Sequence, residues 1–155
     1  MSNRLVYAEG PLLDQILDLT YPVWNEGLTR PAYGQWNAAQ LRTEWGREHL
    51  HRLALLDGQG RLLASAKRYR FDARLDALEV RMSGIGAVCT PPDLRGRGHA
   101  SELVERLLER ERDEGAVLAS LFSEIGDAFY QRLGFRAVPL DEVDVEVAQK
   151  DGAPA

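Results

Sequence analysis

The chain has 155 residues, long enough for one compact domain with a sizeable core and short for two. Hydrophobic residues make up 45% and charged residues 28%, proportions of a folded globular chain that exclude a disordered or membrane-embedded one. With 19 basic against 24 acidic side chains and a formal charge of -5, the surface on average repels nucleic acid, and any anion it binds is held locally.

Arg4–Ala8 reads as a short strand. Leu12, Leu13, Ile16, Leu17 and Thr20 then recur at helical spacing behind Pro11, a residue suited to a first helical position. Tyr21–Trp36 is punctuated by glycine and proline and reads as a loop with room for one helical turn. Asn37 with Gln40 resembles a capping box that opens a helix carrying Leu41 and Trp45. His51–Leu56 and Leu62–Phe71 read as strands joined by a hairpin-type turn at Asp57–Gly60, and a further strand runs from about Ala77 to Thr90. Gly84 and Gly86 interrupt that strand, marking a bulge or a close approach by another group. A helix follows Arg95–Gly98, then a buried strand over Ala116–Phe122 and a short helix over Gly126–Leu133 with Gly134 as its left-handed stop. Final strands are expected at Phe135–Val138 and Val143–Ala148. The order is α+β (mixed α/β) with a single strand–helix–strand crossover, and it excludes a doubly wound sheet.

No repeat or linker divides the chain, so one domain is expected over residues 1–150 with a frayed tail at Asp151–Ala155. Cys89 is the only cysteine, which rules out an internal disulfide and a cysteine-rich metal cage and fits a reducing compartment. The start, MSNRLVYAEGPLLDQ, lacks the pattern of a secretory leader, and no apolar run is long enough to cross a bilayer. A cytoplasmic protein without a membrane partner is expected.

The most informative stretch is RGRGHASELVERLLERERDEG, Arg95–Gly115. Ala100, Leu103, Val104, Leu107 and Leu108 share one helical stripe, with Glu102, Glu105, Arg106, Glu109, Arg110 and Arg112 elsewhere. Pro91-Pro92 ends the preceding strand, and Arg95-Gly96-Arg97-Gly98 leads into the helix with little to shield its backbone. Successive N–H groups at a helix start form an anion cradle that glycine lets a phosphate approach. A Walker loop would need Gly-Lys-Ser/Thr where Gly98-His99-Ala100 stands. Gly96-x-Gly98-x-x-Ser101 nearly matches a dinucleotide fingerprint, but a nicotinamide or flavin fold needs repeated crossovers, and here only one is found.

Arg95-x-x-Gly98-x-Ala100 resembles the R/Q-x-x-G-x-G/A signature of the GNAT superfamily of acetyl-coenzyme A-dependent N-acetyltransferases. The strand ending in Val88-Cys89-Thr90 precedes it, and Tyr130-x-x-x-Gly134-Phe135 resembles the family's closing motif. TPPDLRGRG and SEIGDAFYQRLGF look most like the lysine- and aminoglycoside-acetylating branches. The resemblance implies a mostly antiparallel twisted sheet, splayed at its middle strands and flanked by helices.

It also implies chemistry. Backbone N–H groups of Gly96, Arg97, Gly98, His99, Ala100 and Ser101 would hold the coenzyme A diphosphate, with Arg95 and Arg97 adding charge at the rim. Pantetheine would lie along Val88, Cys89 and Thr90 like an added strand. Ser123 stands where relatives often place an asparagine that touches the cofactor. Tyr130 would be the general acid, since a phenol near ~10 can protonate a thiolate near ~8.5 while staying neutral. Many relatives carry a carboxylate base midway along the central strand, but here that stretch reads Arg81-Met82-Ser83-Gly84-Ile85-Gly86. Glu26, Glu79, Glu124 or water are the substitutes.

His49 and His51 could pair on a metal, but no third ligand accompanies them, so no metal is expected. Cys89 is better suited to a small buried hydrophobe than a nucleophile. Trp24, Tyr33 and Trp36 could floor an acceptor pocket or pack beneath a loop. The expected partner is a small-molecule amine or a lysine-bearing substrate, and the acidic total favours a cationic one. Edge strands leave a homodimer open. A non-catalytic acyl-coenzyme A-binding module is the alternative, favoured by the missing strand carboxylate.

Overall fold

The computed structural model describes residues 2–146, and its five strands lie side by side in the order of the chain. β1 (Arg4–Tyr7), β2 (Leu50–Leu56), β3 (Leu62–Leu75) and β4 (Leu78–Cys89) are antiparallel neighbours, whereas β5 (Ala116–Leu121) runs parallel to β4. A parallel pair needs a crossover, and α4 (His99–Asp113) supplies it. The result is the mixed α+β sheet flanked by helices that the sequence implied. By backbone contacts the chain forms one compact unit to Glu124, with the whole sheet, and a second from Ile125 onward.

The two faces of the sheet follow from its register, because directly opposed residues share a face. The pairs Leu55–Ala64, Leu53–Ala66 and His51–Arg68 make the face beneath α4, whose Leu103, Val104 and Leu107 are fully buried. The pairs Ala54–Ser65 and Arg52–Lys67 make the other face. There Ala8, Ile16, Ala54, Leu56 and Leu62 form a core with Leu12 and Leu19 of α1 (Gly10–Trp24).

Three helices precede β2, and their limits correct the expected loop. α1 runs to Trp24 with Pro22 in its last turn, and α2 spans Arg30–Arg42, so the loop over Tyr21–Trp36 shrinks to residues 25–29. A proline removes one N–H but need not stop a helix at its end. Thr29 opens α2, its hydroxyl accepting from Ala32 N at 3.4 Å with a proline in the first turn. Asn37 is therefore mid-helix instead of a cap, and its Nδ2 donates to Tyr33 O at 2.9 Å. Thr43 breaks the run and caps α3 (Glu44–His49), accepting from Gly46 N at 2.8 Å, so Leu41 and Trp45 sit on separate helices.

β3 and β4 extend into a long hairpin tip at Asp76-Ala77. β5 ends the sheet and is not buried as expected: Val117 is 63% exposed and Phe122 beyond it 89%. In the second unit, α5 is a single turn, Ala128–Gln131, shorter than Gly126–Leu133. Phe135–Val138 and residues 143–146 form no strand; the remaining residues of the expected last strand, and the tail, lie outside the described residues.

The α4 stripe also carries a charge that its apolar pattern hid. Glu111, one turn beyond Leu107, is 2% exposed and receives Arg68 Nη1 at 2.9 Å and Arg70 Nε at 2.9 Å. Burial pushes its carboxyl up, but the hydrogen bond from Arg70 and the charges of Arg68 and Arg70 outweigh that and hold it below the usual carboxylate range. Arg70 also binds Glu114, and Arg68 Nη2 meets His51 Nδ1 at 2.6 Å. This network fixes the crossover helix to β3.

Candidate active site

The sheet opens where β4 leaves β5. Their parallel ladder runs from Arg81–Ala116 to Ile85–Leu121 and stops, while β4 continues to Cys89 paired only with β3. Between the pairs Lys67–Gly86 and Ser65–Cys89, β3 contributes one residue, Ala66, and β4 contributes two, Ala87 and Val88. That extra residue is a β-bulge, and Ala87 takes a φ of 48° to make it. The bulge thus falls on an alanine, and the two glycines before it do something else. A Cβ on Gly86 would stand 3.2 Å from Tyr69 Cε2, and one on Gly84 would stand 3.2 Å from Phe71 Cε1. They admit aromatic rings from β3 across the strand.

Past Cys89 the chain makes a 3-10 turn at Pro92–Leu94, anchored by the burial of Leu94 and by Arg61 Nη2 donating to Asp93 Oδ2 at 2.6 Å. Arg95, Gly96, Arg97 and Gly98 then follow, all exposed. Gly96 and Gly98 have φ of 74° and 82°, left-handed values that a side chain would strain, and a Cβ on either would meet nothing within 4 Å. Gly98 is the N-cap of α4 and offers no side-chain cap, so the first N–H groups of the helix, from His99, Ala100 and Ser101, point out of an open, glycine-lined mouth. Donors, helix dipole and two arginines at one place suit a diphosphate. Arg95 Nε reaches back to Thr90 O at 3.4 Å, tying the mouth to the end of β4.

Val88 and Thr90 are half-buried and Cys89 is buried. Burial pushes the Cys89 thiol up, against the pull of Arg95 and Arg52, which keeps it protonated and poorly nucleophilic. Ser123 follows β5 at the exposed surface.

Tyr130 belongs to the second unit. It is the buried residue of its segment, whereas Ile125 just before it is 79% exposed. Its ring stands edge-on to Phe129 at 4.8 Å and Phe135 at 5.9 Å. Its carbonyl accepts from both Leu133 N and Phe135 N around Gly134 at φ 91°, so the spacing of the Tyr-x-x-x-Gly-Phe motif is that of one closed turn. Burial pushes its phenol above the usual tyrosine range.

Of the other candidates, Glu26, Glu79 and Glu124 are all exposed, and Glu79 sits near the hairpin tip, paired with Arg74. Ser83 is buried beneath α4. His51 is bound to Arg68 and its ring is tilted 49° against that of Tyr7, and His49 faces Glu48 at 3.6 Å. No group of three metal-ligating side chains occurs among the described residues. Tyr33 is core, 1% exposed, its hydroxyl shared with Thr20 Oγ1 at 3.0 Å, while Trp36 is 45% exposed. Sequence reasoning missed Arg52 and Lys67, two buried cations on the α2 face. Their signal was faint: charged residues inside runs of small and apolar ones.

No helix among the described residues is long and apolar enough to cross a membrane. A family model described as the acetyltransferase (GNAT) domain matches residues 13–138. Among solved structures, the chain is similar to a transcriptional regulator from Bacillus halodurans C-125, with TM-score 0.72 and 19% identity over 94% of this chain and 99% of that one. It is similar to an acetyltransferase from Trypanosoma brucei, with TM-score 0.69 and 21% identity over 94% of this chain and 100% of that one. An aminoglycoside acetyltransferase from an uncultured soil metagenomic sample gives TM-score 0.69 and 21% identity over 96% of this chain and 100% of that one. No match is found among curated proteins.

Proposed function

The chain belongs to the GNAT acetyltransferase family, and from that premise we propose that it moves acetyl from acetyl-coenzyme A to a primary amine by direct attack in a ternary complex. The observation that carries this reading is the continuity of β4. Its stretch after Ile85, free of β5 and paired only with β3, runs through a bulge and a short anchored turn into the uncapped start of α4.

Acetyl-coenzyme A supplies an activated thioester, and the residues present fit it. N–H groups from Gly96 to Ser101 hold the diphosphate, with Arg95 and Arg97 at the rim. The open edge of β4 at Val88, Cys89 and Thr90 bonds pantetheine as a strand would. A main-chain N–H beside the Ala87 bulge faces the thioester oxygen and stabilises the charge that grows there. Ser123 adds a donor. Tyr130, matched to the family motif, gives its Oη proton to the departing sulfur, and its raised pKa keeps that proton on at neutral pH. A water, relayed to Glu26 or Glu124, takes the ammonium proton of the acceptor; Glu79, out at the hairpin tip, lies too far along β4 to serve. The protein works in the cytoplasm on a small-molecule amine or a lysine side chain, without a metal or nucleic acid, as one domain that is free to dimerise.

Incubation with isotopically labelled acetyl-coenzyme A and an amine library, read by mass spectrometry, tests the reading: acetylated amines and stoichiometric free thiol are expected. The absence of a carboxylate on Arg81–Gly86 favours a second reading, a binding module for acyl-coenzyme A. A melting temperature raised by acetyl-coenzyme A with no thiol released by any amine would establish that one instead.

A further inference from the structure

Arg52, Lys67 and Gly86 form one row across three strands: Arg52 is paired with Lys67, and Lys67 with Gly86. The first two are buried, at 4% and 9% exposure, on the face covered by α1 and α2. Like charges placed directly opposite each other in a sheet repel, and buried charges are ordinarily neutralised by a partner. Among the described residues no carboxylate forms an ion pair with either. Their contacts are neutral: Arg52 Nη2 donates to Asn37 Oδ1 at 3.2 Å, and Lys67 Nζ donates to Gln40 Oε1 at 3.2 Å and lies 5.5 Å from the centre of the Trp36 ring. Arg52 Nη1 is buried without a hydrogen bond. Asn37, Gln40, Arg52 and Lys67 line a small cavity of about 10 Å³, room for one oxygen-sized group. Burial, with Arg52 alongside, pushes the Lys67 ammonium down to about 8, another sign that positive charge is crowded here.

We propose that the acceptor amine also carries a carboxylate, one oxygen of which enters this cavity against Arg52 and Lys67 while its amine extends past Lys67 toward the Tyr69 ring that stands over Gly86. This rests on the acetyltransfer reading for the amine and stands apart from it for the anion. A carboxylate held between Arg52 and Lys67 lies one to two strand spacings from Gly86, roughly 5–10 Å, so amine and carboxylate belong at opposite ends of an extended acceptor. An ω-amino acid fits, and glycine does not span the distance. The preference is opposite in sign to the one that the net charge of -5 suggests.

The test compares glycine, 4-aminobutanoate and 6-aminohexanoate with their amino-alcohol counterparts, using wild type, Arg52→Gln and Lys67→Met, each with and without acetyl-coenzyme A. The longer acids are expected to raise Tm in the wild type while the alcohols do not. Both variants lose that response but keep the rise produced by acetyl-coenzyme A. In thiol release, kcat/KM favours 6-aminohexanoate over 6-aminohexanol by roughly 10- to 100-fold, a charge-assisted hydrogen bond's worth, and the ratio collapses toward one in the variants. Each variant removes an uncompensated buried charge, so neither is expected to melt below the wild type without ligand. Equal effects of acids and alcohols, a null response to every acid, or unaltered acid preference in both variants overturns the proposal. Acid-specific stabilisation without thiol release leaves the anion site standing and sinks the acetyltransfer reading; thiol release with acids and alcohols used alike does the reverse.

Discussion

Arg68 and Glu111 face each other at 2.9 Å between β3 and α4, with side chains 1% and 3% exposed. An ion pair so far from water is held by several partners: Arg70 occupies both carboxylate oxygens and His51 meets the far side of Arg68, while Arg68 Nε stays buried without a hydrogen bond. Removing one member leaves the others charged and dry. Glu111→Gln is therefore expected to cost about 3–5 kcal/mol in urea unfolding, whereas the double change Arg68→Met, Glu111→Leu costs much less. A double variant as unstable as the single one would show that the pair contributes through packing alone.

Gly98 holds a left-handed φ of 82° at the start of α4. Gly98→Ala is expected to lose about 1–2 kcal/mol of stability, because a Cβ is disfavoured there even though space is open. The same change tilts the N–H groups proposed to grip the diphosphate, so on that reading KM for acetyl-coenzyme A is expected to rise. Calorimetric titration with coenzyme A checks the second part independently of turnover.

Tyr130→Phe keeps the edge-on ring contacts with Phe129 and Phe135 and removes only the hydroxyl. We expect kcat to fall by roughly 10²- to 10⁴-fold, the range of a general acid, with affinity for acetyl-coenzyme A unchanged. Comparable losses in kcat and in cofactor affinity would assign the tyrosine to packing.

The Lys67 ammonium, pushed down to about 8 from 10.5, makes stability depend on alkaline pH. The unfolded chain holds this proton up to about 10.5, whereas the folded chain gives it up from about 8, so between those values the unfolded state binds more protons and folding gains as pH rises. Below about 8 both states are charged and the full cost of burying the ammonium remains. Relative to Lys67→Met, the wild type should gain stability from pH 7 to pH 10, as measured by denaturant midpoints. A difference that stays flat over that range contradicts the burial of a charged amine.

Much of the cradle was legible because it depends on spacing. Two glycines, a helical stripe at Leu103, Val104 and Leu107, and a proline stop fix a backbone turn almost without regard to tertiary context. Glu111 escaped since it sits on that stripe yet is charged; only its partners on β3, Arg68 and Arg70, explain its burial, and they lie more than 40 positions away. The Ala87 bulge left no trace because alanine does not advertise a φ of 48° as glycine would. Prolines misled in the other direction. Pro22 and Pro31 sit at a helix end and a helix start, positions that tolerate them, so punctuation looked like a loop. The closing strands expected at Phe135–Val138 and Val143–Ala148 rested on local residues alone, and local residues do not supply the hydrogen-bonded partner that a strand needs.

From Gly86 to Cys89, β4 carries peptide groups on the side that β5 has vacated. Such a margin is adhesive. Any stretched polypeptide of matching length can zip onto it, including one from a neighbouring copy, and an empty molecule is thereby exposed to self-association. On the proposed reading, the pantetheine arm of the cosubstrate threaded there would act as a plug as well as a reagent. Purified material stored with coenzyme A should stay dispersed through freezing and concentration steps that cloud a stripped preparation.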